Sequence, residues 1–231
     1  MPNPHLNPQA LQWQYRSTPS SSITKDRLSL QKLLPNYSST PLHSLPSLAK
    51  DLQLRHVLLK DESRRFGLPS FKILGASWAV YCALVHELAV NEKVASDEIA
   101  GSLDEVRKLA RESGINIVTC TAGNWGRAVA RMGSWLGVDV VVYVAEGMAE
   151  ETRGLIRGEG ATVVVVEGHY GDAVGRARER VVGGGRDLLV MDIGWRGYDE
   201  VPGVSYPSPF PYSWGGFILS GLLGMIMKRL I

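Results

Sequence analysis

Three places in the sequence carry residue types and spacings that can do chemistry. The first is Lys72, inside the stretch Leu58 to Val80, LLKDESRRFGLPSFKILGASWAV. A short strand-like run (His56 to Leu59), three charges (Lys60, Asp61, Glu62) and a turn-prone Gly67-Leu68-Pro69-Ser70 precede the lysine. Ile73 to Leu88 follows it, apolar on most faces, and reads as a buried helix. Ser70 is its expected N-cap, which puts Lys72 in the first turn. The helix dipole disfavours a cation at that end, and an ammonium beside a buried element is costly. A neutral amine is what attack on a carbonyl requires. The commoner fate of a lone lysine is to snorkel from a helix end to water, and local pattern alone favours that.

The second place is Thr119-Cys120-Thr121-Ala122-Gly123-Asn124-Trp125-Gly126, which closes a strand-like run and opens a helical one. In an open parallel sheet ligands bind at the C-terminal ends of strands. Amide groups at a helix start can hold a carboxylate or phosphate there, and Gly123 and Gly126 let the backbone approach a ligand closely. The same residues also describe an ordinary glycine-rich turn. The third place is Asp192, at the end of the run Leu188 to Ile193. A carboxylate there can take a proton or assist a leaving amine, or simply cap a helix or face solvent.

The elements that must position these residues alternate regularly. A helix over 71–89 is followed by a polar connection. Ser102 and Glu105 form a capping box, and a stripe of Leu103, Val106, Leu109 and Ala110 runs to Gly114 at the C-cap. Strands are expected at Ile115 to Thr121, Val138 to Val144, Ala161 to Val166 and Leu188 to Ile193. Helices are expected at Asn124 to Leu136, Glu150 to Arg157 and Asp172 to Val182. Near-continuous Val/Ile/Leu runs separated by helices predict βαβ units: a parallel sheet, buried on both faces, with right-handed crossovers.

Several function classes are excluded or disfavoured. Hydrophobic residues make up 45% of the 231-residue chain and charged residues 21%, which is a globular composition. A net charge of +2 without a basic block gives no footprint for nucleic acid. Cys82 and Cys120 fall in an expected helix and strand and read as buried thiols, fitting a reducing, cytoplasmic compartment. Residues 1–33 read as an irregular arm, and residues 1–22 lack the apolar core of a signal peptide. The apolar tail from Gly215 to Ile231 is only marginal as a membrane span, so no membrane partner is expected. Gly183-Gly184-Gly185 lies between a helix and a strand, the wrong order for a phosphate loop, and reads as a C-cap turn. No G-x-G-x-x-G follows the first strand, no G-x-S-x-G is present, and His56, His86 and His169 lack metal-ligand spacing, so no metal is expected.

The run KDESRRFGLPSFKILGA resembles the lysine segment of the pyridoxal-phosphate (PLP) enzymes of the tryptophan-synthase-β fold type, and within them the diaminopropionate ammonia-lyases. The residues that carry the likeness are Lys60, Asp61, Glu62, Ser63, Arg65, Phe66, Gly67, Phe71, Lys72, Gly75 and Ala76. The resemblance implies an α/β fold, an open parallel sheet with flanking helices. It makes Lys72 the Schiff-base lysine and Phe71 and Asn124 further cofactor contacts. GNWGRAVA is similar to the family's Gly-Asn-His-Gly-Arg loop, which implies that Thr121, Gly123 and Trp125 line the substrate site. Met191 to Glu200 resembles the segment that makes Asp192 catalytic, and Thr40-Pro41-Leu42 matches the start of the fold. Two residues depart from the pattern: Ala122 stands where the family has a proton-transferring aspartate, and Trp125 where it often has histidine.

The likeness covers roughly residues 34–202, which is the expected PLP-enzyme domain, and 203–231 is a divergent Pro-rich and hydrophobic tail. The second half of the fold, with the phosphate-holding loop and the partner of the pyridine nitrogen, is not found. Codons for Val204-Ser205 that spell a splice donor would explain the tail as read-through. The implied reaction is β-elimination from 2,3-diaminopropionate to pyruvate and ammonia, with PLP as cofactor, a small amino acid as substrate and a homodimer as the full-length assembly. The short form is expected to be inactive or impaired. A serine/threonine dehydratase-like enzyme and a non-catalytic remnant that binds a partner are the alternatives.

Overall fold

The structure is a computed structural model that describes residues 28–92, 102–182 and 185–192. The tail at 203–231, the Trp195 to Glu200 segment, most of the N-terminal arm and Gly183-Gly184 lie outside the described residues. The end of the arm is not irregular: residues 28–33 are helical, and Leu30 and Leu34 are buried in the main core. A small antiparallel pair follows, β1 (Leu42–Ser44) and β2 (Leu58–Lys60), with the short helix α1 (Pro46–Asp51) between them.

The rest is the expected alternation. It runs α2 (Lys72–Glu92), α3 (Leu103–Ser113), β3 (Asn116–Cys120), α4 (Asn124–Leu136), β4 (Asp139–Ala145), α5 (Glu150–Gly158), β5 (Thr162–Val166), α6 (Tyr170–Val182) and β6 (Asp187–Leu189). The four strands β3 to β6 pair parallel in the order β5-β4-β3-β6, with Cys120 opposite Tyr143 and Ile117 opposite Leu188. The caps form as their residue types dictate. The Ser102 hydroxyl accepts the Glu105 N–H at 3.3 Å, and Gly114 and Gly137 close α3 and α4 in the left-handed region.

Side chains alternate across the sheet and make two cores. Ile117, Val140, Val142 and Val144 pack beneath α2, α3, α4 and α5. Val118, Cys120, Val141 and Tyr143 face the other way, onto Ala173 and Ala177 of α6 and onto Met191. Burial on both faces holds for β3 and β4, but β5 is an edge strand with Thr162 and Val165 exposed. Edges carry no neighbour on one side, so a Val-rich run alone does not ensure burial. Among the described residues one stretch, Lys72–Asn91, is long and apolar enough to cross a membrane, and 61% of its most apolar window is buried within the protein.

Candidate active site

Lys72 opens α2, and the Ser70 hydroxyl accepts its backbone N–H at 3.1 Å. Its side chain does not snorkel into open water. Lys72 Nζ donates to Asp192 Oδ2 at 2.6 Å, joining residues 120 apart in sequence. The lysine side chain is 28% exposed and the carboxylate 14%, so the pair is sheltered yet reachable. Instead of a lone amine against an apolar helix, the site holds an ion pair at the C-terminal edge of the sheet. Asp192 follows β6, and β6 lies beside β3 because of the strand order. Sheet topology therefore delivers the carboxylate to the lysine.

Two more residues feel the Asp192 charge: Cys120, expected from the sequence only as a buried thiol, and Tyr170, which the sequence did not mark. Burial pushes the Cys120 thiol up to about 12; a hydrogen bond from Tyr170 opposes this and the Asp192 charge adds to it. Burial, then the fields of Cys120 and Asp192, push the Tyr170 phenol upward as well. Both stay protonated at neutral pH. Asp192 thus pairs with one cation, and its charge is felt by two neutral acids. Tyr170 begins α6 beyond the edge strand, and no local pattern marks it.

The turn after β3 is held from within. The Thr121 hydroxyl accepts the N–H groups of Gly123 (3.0 Å) and Gly126 (3.1 Å) and donates to the Gly123 carbonyl at 3.2 Å. Two amides that the sequence offers to an anion are thus taken by this oxygen. Thr121 itself is 2% exposed and braces the turn rather than lining open space. Gly126 is required by proximity: a Cβ there would lie 2.4 Å from Thr121 Cγ2. Trp125 corrects its expectation most clearly. Its ring is buried in the main core and its indole N–H donates to Thr119 Oγ1 at 3.0 Å, so the side chain points away from the mouth of the turn. A large apolar ring on the first turn of an amphipathic helix follows the core. Asn124 and Ala122 are the exposed residues of the turn, Gly123 is partly exposed, and Phe71 is half-buried beside Lys72.

The charged run before Lys72 is a scaffold. Arg65 bonds both oxygens of Glu62, and donates to the Thr40 hydroxyl at 2.6 Å and the Ser38 carbonyl at 2.8 Å. Thr40 Oγ1 donates to Glu62 at 2.7 Å, and Lys60 Nζ to the Thr40 carbonyl at 2.5 Å. The Thr-Pro-Leu segment is thereby tied to the lysine segment.

These residues suit the aldehyde end of a pyridoxal group. A reachable primary amine stands beside a carboxylate, with an exposed carboxamide one turn past β3. That donor set agrees with the comparisons. The family of pyridoxal-phosphate dependent enzymes matches residues 33–192. The chain is 36% identical over 183 residues to the diaminopropionate ammonia-lyase of Salmonella typhimurium, covering 79% of this chain and 44% of the relative. It is 31% identical to that of Escherichia coli, with the same two shares covered. The solved apo form of the Escherichia coli enzyme superposes with a TM-score of 0.68 at 30% identity, over 82% of this chain and 50% of the other. The chain thus spans about half the length of these relatives. On the lysine turn, the parallel sheet and the match across most of the described residues, the chain belongs to the pyridoxal-phosphate dependent enzymes.

Proposed function

We propose that this chain carries the lysine half of a PLP-dependent carbon–nitrogen lyase that eliminates ammonia from 2,3-diaminopropionate. The observation that carries the reading is the Lys72–Asp192 pair at 2.6 Å, at the strand end next to the Asn124 turn. Pyridoxal phosphate, when bound, supplies the electron sink that lets an α-proton leave. Lys72 would hold it through its amine, Asn124 would bind the ring's 3′-oxygen, and Phe71 would pack at the lysine. Thr121 and Gly123 shape the turn that receives the substrate carboxylate, and Trp125 anchors that turn from below. Asp192 keeps Lys72 oriented and can accept the proton that the lysine gives up as it reacts, or assist the leaving amine. Ala122 moves no proton, so proton transfer falls to Lys72 and Asp192. The two free cysteines fit a cytoplasmic setting, and a homodimer is the assembly of the full-length enzyme in this reading.

The test is chemical trapping. The purified chain is incubated with PLP, reduced with borohydride and mapped by mass spectrometry. The expected result is a phosphopyridoxyl group on Lys72, absent in Lys72→Ala. Modification spread over surface lysines, with none on Lys72, overturns the proposal. Adding diaminopropionate or serine to the loaded chain and measuring pyruvate tests the leaving group. Release from serine alone replaces the ammonia-lyase with a dehydratase.

One observation favours a second reading, a chain that acts as a binding partner. Leu42, Leu48, Leu52, Leu54 and Leu59 are all exposed on the β1–α1–β2 unit, and an isolated two-stranded sheet is marginal in water. A colourless chain that is stable only in complex supports it; a stable monomer that traps PLP on Lys72 rules against it.

A further inference from the structure

We infer that Arg131, gripped by Glu159, is a positioning residue for Lys72: it clamps the strained turn before the lysine onto the helix that begins at Asn124. The inference rests on the reading of Lys72 as the cofactor-capturing amine. Its starting point is Phe66, which is 1% exposed and adopts φ 52°, ψ 28°. A bulky side chain in the left-handed region is an outlier, and such strain persists only where the surroundings over-determine it.

The restraints on Phe66 come largely from α4. The ring packs edge-on against Trp135 at 5.8 Å and tilted against Tyr37 at 6.1 Å. The carbonyl accepts Arg131 Nη1 at 2.8 Å. Gly67 continues the turn at φ 72°, with Arg131 over it. The opposite side of the same guanidinium meets Glu159, through Nε at 2.7 Å and Nη2 at 2.6 Å. Glu159 also takes Arg127 Nη2 at 2.9 Å and is 9% exposed. The planar five-donor fork of an arginine suits such a bracket, and a lysine cannot reproduce it. One rigid helix therefore presents the Asn124 turn at its start and fixes, two turns later, the segment that delivers Lys72. The spacing between the amine and the turn is set by this helix.

The experiment measures the selectivity of trapping: PLP and borohydride as above, with modification of Lys72 normalised to the exposed Lys50 and Lys108. It compares the unaltered chain with Arg131→Gln, Arg131→Lys and Glu159→Gln, each well below its own unfolding midpoint by circular dichroism. The expected result is a fall of about tenfold at Lys72 in both arginine variants, since small misplacements of a reacting group are costly. A smaller fall is expected in Glu159→Gln, which keeps the Phe66 bond. Should Arg131→Gln not fold, the other two variants carry the measurement. Unchanged selectivity in folded variants whose midpoints drop assigns the clamp to stability alone and overturns the inference. An unaltered chain that is not trapped at Lys72 overturns instead the reading of the lysine, and this inference with it.

Discussion

The two sides of the candidate site are held by different physics. The turn between β3 and α4 is held without charge. One hydroxyl, that of Thr121, satisfies two amides, an indole N–H reaches Thr119, and a glycine allows close approach. The segment before Lys72 is held by ions: Arg65 on Glu62, and Arg131 on Glu159 and the Phe66 carbonyl. The neutral side is local, spanning eight residues from Thr119 to Gly126. The ionic side ties the segment before Lys72 to Thr40 on one flank and to α4 and Glu159 on the other. A compact turn can be specified by its own sequence, whereas a strained segment needs strong, directional partners from elsewhere.

The comparison breaks most severely at Arg65. Arg65→Ala takes the guanidinium from the Glu62 carboxylate, 9% exposed, and leaves it the Thr40 hydroxyl alone as a hydrogen-bond donor. Breaking a buried pair from one side costs roughly 3–5 kcal/mol. Urea unfolding is expected to show that loss, and Lys72 trapping to fall with it. Gly126→Ala strikes the neutral side. The new methyl meets Thr121 Cγ2 at 2.4 Å and Val142 Cγ1 at 3.0 Å. Overpacking of this kind costs about 1–3 kcal/mol, again read by urea unfolding, while the ionic network on the lysine side persists. Equal losses from the two changes would erase the distinction.

The smallest effect is on pH dependence. Burial works against ionisation of Glu62, but hydrogen bonds from Arg65 and Thr40, with the Arg65 and Lys60 charges, outweigh it and hold the carboxyl below its ordinary 4.5. A folded value below the unfolded one means stabilisation that is fully present above about pH 4.5 and lost as pH falls through the folded value. Unfolding midpoints measured from pH 6 downward should therefore drop on the acid side. In Arg65→Gln the drop should be shallower; an unchanged slope would show that Glu62 is not the linked group.

Much of the fold was legible in the sequence. The Asn124 to Leu136 helix, the Ser102 cap and the four parallel strands follow from periodicity and cap chemistry, which are local properties. The candidate site was legible in part. Lys72 and Asp192 are both marked by their segments, yet nothing in either predicts the other. Trp125 misled because position in a loop motif says where a backbone goes, while burial decides where a ring points. Tyr170 and Arg131 carried no signal at all, and Cys120 only that of a buried thiol, since their partners lie far away in sequence.

Alternation of apolar runs with capped helices determined by itself that this chain builds a parallel α/β sheet and that Lys72 heads a buried helix. Those features depend on neighbours within a few residues, and such neighbours are written in order. Only the tertiary structure decided that β6 lies beside β3, that Asp192 therefore meets Lys72, and that the Trp125 ring enters the core. Strand order and side-chain direction are set by which surfaces the whole chain can bury together, and no short window of sequence contains that sum.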